Sequence, residues 1–228
     1  MFERLKKFSV NAKAAGQNPA QADAVSSWAD AQGFSFAAAG EGQGFSLTGM
    51  VDNKPWRLEC GRSSRDYLLG EELRARAELK LDRGASVLIM SRPLKEMLEK
   101  RAYGIYTDTV QTTADPSLTE EMRWLALYPE VGWNGLPEAF WDRYAVLANQ
   151  RSHAVGWLDL DLAGLLLSWP EPGADAKLPF ILMLLRGKAY LRMQYTPGDL
   201  PMLQHATLIF HAACKLALAD RSTDIVCD

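Results

Sequence analysis

The stretch from Glu71 to Leu81 limits the fold more than any other part of the chain. Leu73, Ala75, Ala77, Leu79 and Leu81 alternate with Glu72, Arg74, Arg76, Glu78 and Lys80. Successive side chains of a strand point to opposite faces, so this is a strand with one apolar and one charged face. A helix would scatter the same residues around its axis. Pro55–Gly61 repeats the pattern, with Trp56, Leu58 and Cys60 against Arg57 and Glu59, and Phe45–Val51 precedes it. Between these two, Asp52-Asn53 tolerates the left-handed conformation of a tight hairpin. A sheet with one wet face is usually antiparallel. An antiparallel meander is therefore expected, with its charged side solvated and opposite charges facing each other across strands. That face reads as plain solvated surface or, more sharply, as a ligand or partner surface. Its balanced signs argue against nucleic acid.

Other segments extend this frame. Asn18-Pro19 opens a helix that Gly33 ends, and Phe34–Ala38 is a short strand. Ala39–Gly44 is rich in glycine, but a phosphate cradle needs a helix directly after it, and strand residues follow, so it reads as a hairpin connection. Ser86–Met90 is apolar throughout, as in a strand buried on both faces. Leu94, Met97 and Leu98 mark the next helix, and Ile105–Thr112 reads as a strand. Ser117-Leu118-Thr119-Glu120 is a capping box. Helical signals follow over Glu120–Leu127, Pro137–Asn149 and Leu158–Trp169. Leu178–Leu185 and Ala189–Tyr195 form a hairpin. A last helix starts after its cap, Asp199, and runs to about Asp220. The fold class expected is α+β: a mainly antiparallel sheet, meander plus C-terminal hairpin, of about six to eight strands with helices packed on one face. Residues 1–228 read as a single α+β domain. The alternative splits them into an N-terminal β-meander domain, 18–115, and a helical and hairpin C-terminal domain, 117–228.

Bulk properties narrow the class. Of 228 residues, 48% are hydrophobic and 23% charged, enough for a large core. Net charge is −3, so no basic excess is available to hold a phosphate backbone. The charged N-terminal residues are not followed by an apolar run, and no segment reaches the ~20 apolar residues of a membrane helix. Cys60, Cys214 and Cys227 lack framework spacing and suit a reducing, cytoplasmic setting.

Chemistry-bearing residues are sparse. His205 and His211 are six positions apart on one helix, about 120° around its axis, so they cannot share a metal. His211 and Cys214 lie three apart on one side and are the only weak catalytic candidates. Cys214 also falls on the apolar stripe, where a thiol acts as a small hydrophobe. Asp159 and Asp161 point different ways on a helix, and nothing selects a working pair from Glu130, Glu138, Asp142 and Asp159. P-loop, nucleophile-elbow, zinc-ribbon and HExxH patterns are absent, so no metal site and no cofactor is expected.

Two binding features remain. Arg62 and Arg65 flank two serines in a loop that could hold an anion. Five of the seven tryptophans fall between Trp124 and Trp169. These either fill the core or line a pocket built from Trp124, Trp133, Trp141 and Trp157. On the last helix a second, fainter apolar stripe (Ile209, Ala212, Leu216) points to a homo-oligomer. The expected function is non-enzymatic protein–protein contact in the cytoplasm, with no nucleic acid and no membrane. A small-molecule binding module and an enzyme with a dispersed site are the alternatives.

Overall fold

The computed structural model describes residues 19–39, 44–81, 84–108, 119–170 and 178–219. The strands are β1 (Ser35–Ala38), β2 (Phe45–Val51), β3 (Lys54–Arg62), β4 (Glu71–Glu78), β5 (Ser86–Ser91), β6 (Tyr144–Ala148), β7 (Phe180–Leu185) and β8 (Lys188–Tyr195). The helices are α1 (Pro19–Ala31), α2 (Arg92–Asp108), α3 (Glu120–Leu127), α4 (Glu138–Arg143), α5 (Arg151–Trp157), α6 (Leu160–Leu167) and α7 (Leu200–Ala219). The strands make one eight-stranded sheet in the order β1-β2-β3-β4-β8-β7-β5-β6. Every pairing is antiparallel. The fold is α+β, as the alternation implied.

Local chemistry sets the turns and caps. Asp52 and Asn53 both take positive φ, 46° and 60°, which closes β2 onto β3. The β7–β8 turn is made by Arg186 and Gly187, at φ 53° and 77°. A Cβ on Gly187 would lie 2.5 Å from the Leu81 carbonyl oxygen, so only glycine fits. Asp159 and Asp199 cap α6 and α7 by accepting from Leu162 N at 2.8 Å and Met202 N at 3.0 Å. The cap of α3 is Thr119, which accepts from Met122 N at 3.3 Å, two residues later than the capping-box reading placed it. The basic stretch 1–17 and most of the glycine-rich loop lie outside the described residues. Ala39 N does donate to Gly44 O at 3.0 Å, closing the β1–β2 hairpin.

Two packed layers explain which strands alternate. α1 and α4–α7 cover one face of the sheet, where Leu47, Leu58, Leu73, Leu182, Leu191, Trp157 and Phe210 share a core. The expectation of helices on one face holds for these. α2 and α3 add a layer on the opposite face, over β5, β6 and β7 and reaching β8 at Tyr190 and Arg192, packing Leu94, Leu98 and Met122 on Leu88, Met90, Leu147, Ile181 and Met183. β5 and β7 are buried at every position, which is why their sequences run apolar without a break. Apart from Glu72, the meander keeps its charged face open.

Three boundaries differ from the sequence reading. Pro137–Asn149 is not one helix: α4 ends at Arg143 and β6 follows directly, with all five residues buried. Leu158–Trp169 is a shorter helix, α6, with an additional helix, α5, before it. Ile105–Asp108 belongs to α2 and is not strand; 109–118 lies outside the described residues.

Candidate functional site

The sequence candidates do not meet. Cys214 is fully buried, and burial pushes its thiol up to about 12, so it stays protonated. His211 packs edge-on to Phe34 and Trp56, with ring centroids at 5.5 and 4.6 Å. Burial, then Lys215, pulls its imidazole down to about 4. The ring thus packs on Phe34 and Trp56 and the thiol lies in the larger core. The other histidines are elsewhere: His205 Nε2 donates to Leu165 O at 2.8 Å, and His153 meets Asn149 Oδ1 at 3.1 Å. No group of three His, Cys, Asp or Glu among the described residues could hold a metal ion.

His211 predicts an acid limb. Its folded value lies below the ordinary 6.5, so the unfolded chain binds the proton more tightly. Stability is therefore full above pH 6.5 and lost as pH falls toward 4. The loss expected is about 1–3 kcal/mol after allowing for partial exposure. Urea midpoints at pH 7.5 and 5 measure it, and His211→Phe should shrink the difference.

The four tryptophans divide. Trp133 and Trp141 stack edge to face at 5.1 Å, both half-buried. Trp157 is 1% exposed and donates its Nε1–H to Ala213 O at 2.9 Å. Trp124 packs with the α2–α3 layer on the other side of the sheet. The carboxylates divide too: Glu130 is paired with Arg92 at 3.1 Å and Lys95 at 3.0 Å, while Asp159 caps α6.

Arg62 is exposed, and Arg65 enters a buried charge cluster. Glu121 Oε1 accepts from Arg65 Nε at 2.7 Å, from Tyr67 OH at 3.0 Å and from Arg192 Nη1. Glu72 lies 2.8 Å from Arg192 Nε and accepts from the Ser64 N–H and hydroxyl, each at 2.8 Å. Both carboxylates are 0% exposed. The wet face is thus not wet at Glu72, because α3 and the β3–β4 connection close over it. Burial pushes the Glu121 carboxyl up, but Arg65, its own backbone N–H and Arg192 outweigh this and hold it below the usual carboxylate range.

The open part of that face is a groove of about 980 Å³. Strand register assembles it in rows. One row runs Thr48, Arg57, Arg76, Tyr190, Met183, each directly opposite the next. The adjacent row runs Ser46, Glu59, Arg74, Arg192. By register arginine stands opposite arginine twice, Arg57 with Arg76 and Arg74 with Arg192, a departure from the expected opposite charges. Glu78 opposite Lys188 and Glu59 opposite Arg74 fit that expectation. Glu59 is shared by Arg57 at 2.8 Å and Arg74 at 3.5 Å. Glu78 is shared by Arg76 and by Lys188 at 3.0 Å. Desolvation pushes Glu78 up, but its bonds from Lys188 and Arg76 prevail and hold it low. Setting Arg57, Arg74, Arg76 and Lys188 against Glu59 and Glu78 leaves two positive charges unbalanced on a chain of net charge −3. Tyr190 lies under Arg76, whose guanidinium carbon is 6.0 Å from the ring centre. Sequence reasoning marked this face but missed the groove, because Tyr190 and Arg192 come from a strand over 100 residues away.

No protein-family model matches the chain, and no curated protein matches it. Among solved structures, the crystal structure of the mycobacterial trehalose monomycolate transport factor A, TtfA, aligns with 87% of this chain and 97% of that one, at 9% identity and a TM-score of 0.45.

Proposed function

We propose that this is a non-enzymatic binding protein whose working surface is the groove over β2, β3, β4 and β8, and that its ligand is a small anionic molecule with an apolar body. The carrying observation is the local excess of arginine, with Arg57 opposite Arg76 and Arg74 opposite Arg192 in register and two glutamates, Glu59 and Glu78, shared among Arg57, Arg74, Arg76 and Lys188. Like charges on directly opposite residues destabilise a sheet, and an anion bound on this face offsets the excess positive charge. A volume of about 980 Å³ is at the upper end for small-molecule sites, and Tyr190, Met50 and Met183 give the ligand apolar contact. Interleaved glutamates oppose a nucleic-acid backbone.

We take residues 1–228 as one α+β domain, since β8 of the second half pairs with β4 of the first and the groove crosses that seam. Among the described residues no helix is long and apolar enough to cross a membrane. Cys60 and Cys214, free and buried, support the cytoplasmic location. A homo-oligomer through α7 would use Ala212, Leu216 and the exposed Leu208, since Ile209 is fully buried in the chain's own core.

Calorimetric titration with 2-naphthyl phosphate, and with uncharged 2-naphthol as control, tests the reading. The phosphate should bind at least about tenfold tighter, and the Arg57→Ala/Arg76→Ala variant should lose that margin. Equal binding of both probes, or a variant that binds like the parent, overturns it.

A further inference from the structure

We infer that the free chain covers its own groove: the C-terminal segment, residues 220–228, docks on the arginine-rich face of β3 and β4, and a ligand must displace it. This rests on the groove reading above and adds an internal competitor to it.

Charge selects the segment. On the groove face Arg57 and Arg74 share Glu59, Arg76 and Lys188 share Glu78, and Arg192 is neutralised by Glu72 and Glu121. Four cations on two glutamates leave two positive charges over. Arg74 Nε is also a buried donor with no acceptor among the described residues, so a carboxylate there supplies a bond that the fold does not. Asp220, Asp224 and Asp228 against Arg221 give the segment a charge of −2, equal and opposite to that excess. The other terminal segment is excluded on the same ground, because residues 1–18 carry Arg4, Lys6, Lys7 and Lys13 against Glu3. Between Asp224 and Asp228 stand Ile225, Val226 and Cys227, an apolar run. The groove offers it Met50, 60% exposed, and Tyr190.

Strand register and helix direction place the segment within reach. β8 ends at Tyr195, opposite Glu71, and α7 starts at Leu200. The helix runs back along the sheet to His211, whose ring lies 4.6 Å from that of Trp56. Trp56 stands opposite Gly49, toward the end of the sheet that the Asp52–Asn53 turn closes. α7 goes on for about 12 Å beyond His211 and ends at Ala219. The groove opens at this same end, where Gln32, Gly33, Met50 and Pro55 line it. From the helix layer, round the turn, to Arg57 and Arg76 on the far face is on the order of 20 Å, one layer spacing on each side of the sheet. Residues 220–228 span about 30 Å when extended, so the segment arrives with Asp224 and has length left to lie along the groove. Arg57 and Arg76, with side chains 59% and 54% exposed, meet it first. Their glutamate partners are surface pairs of the kind that contribute little, so the guanidiniums can turn to an aspartate.

The test is calorimetric titration of 2-naphthyl phosphate into the full chain and into its Asp224→Asn/Asp228→Asn variant. A groove covered about nine-tenths of the time shows about a tenth of its intrinsic affinity, so the variant should bind about tenfold tighter. Glu138→Gln/Asp142→Asn changes the net charge equally on α4, at the opposite edge of the sheet, and should stay within about twofold of the parent. A synthetic peptide of residues 220–228 should bind the Asp224→Asn/Asp228→Asn chain and compete with the phosphate. The same peptide with asparagine for each aspartate should not. Circular dichroism confirms that every variant is folded. A variant that binds as the parent does, an α4 control that gains as much, or an acidic peptide that fails to compete overturns the docked segment and leaves the groove reading standing. Phosphate binding that in neither chain exceeds the level of the Arg57→Ala/Arg76→Ala variant overturns the groove reading itself.

Discussion

Replacing Glu121 by alanine is expected to lower the free energy of unfolding by about 3–5 kcal/mol, read as a shift in the urea midpoint at pH 7. The carboxylate is 0% exposed, and one of its oxygens collects Arg65, Tyr67 and Arg192. Truncation leaves a tyrosine hydroxyl buried without its acceptor. It also removes half of the anionic support from Arg192, whose side chain is 17% exposed. Arg65, at 25% exposure, can turn toward water, so the larger share of the loss comes from Arg192 and Tyr67. A double variant, Glu121→Leu with Arg192→Met, should recover much of the stability, because removing a buried pair together costs far less than orphaning one partner. The same carboxylate sets an acid limit. Its folded value is depressed, so its contribution is complete above the ordinary 4.5 and lost as pH falls through the lower folded value. Glu121→Gln should flatten that limb while leaving the higher one from His211.

What the sequence discloses depends on whether a residue's environment is local. β3 and β4 alternate because one face is covered and the other open, and this survives in the linear order of Leu58, Leu73 and Ala75 against Arg57, Arg74 and Arg76. β5 and β7 read correctly as unbroken apolar strands, since helices cover both faces. β6 did not, because Tyr144–Ala148 is fully buried, carries no period and follows α4 without a loop, so periodicity merged the two into one helix. Glu72 has the pattern of a wet residue. The β3–β4 connection and the return of α3, about 50 positions later, bury it against Arg192. The groove was half legible. Its charged face is written in β3 and β4, but which charges oppose which depends on register, and the neighbour on the far side of β4 is β8. Pattern alone therefore suggested complementary pairs where two of the register pairs are arginine opposite arginine.

Tryptophan clusters show the same division, and they carry the other large effect. Trp157→Ala is expected to destabilise by about 3–5 kcal/mol, whereas Trp133→Ala should cost under about 1.5 kcal/mol. Trp157 is 1% exposed, its indole N–H reaches Ala213 O at 2.9 Å, and the ring joins α5 to α7 at the centre of the larger core. Removing it opens a cavity that rigid helices on both sides cannot collapse into, and the binding of α5 to α7 goes with it. Trp133 is half-buried on the rim, edge to face with Trp141 at 5.1 Å, and water can fill the space it leaves. Trp157→Phe separates packing from polarity: it keeps most of the apolar volume, loses one hydrogen bond, and should cost about 1–2 kcal/mol. Urea midpoints on the three variants give the order directly. A Trp157→Ala protein as stable as the parent would place that ring at a pocket wall, and the aromatic segment would then become a rival to the arginine groove as the binding surface.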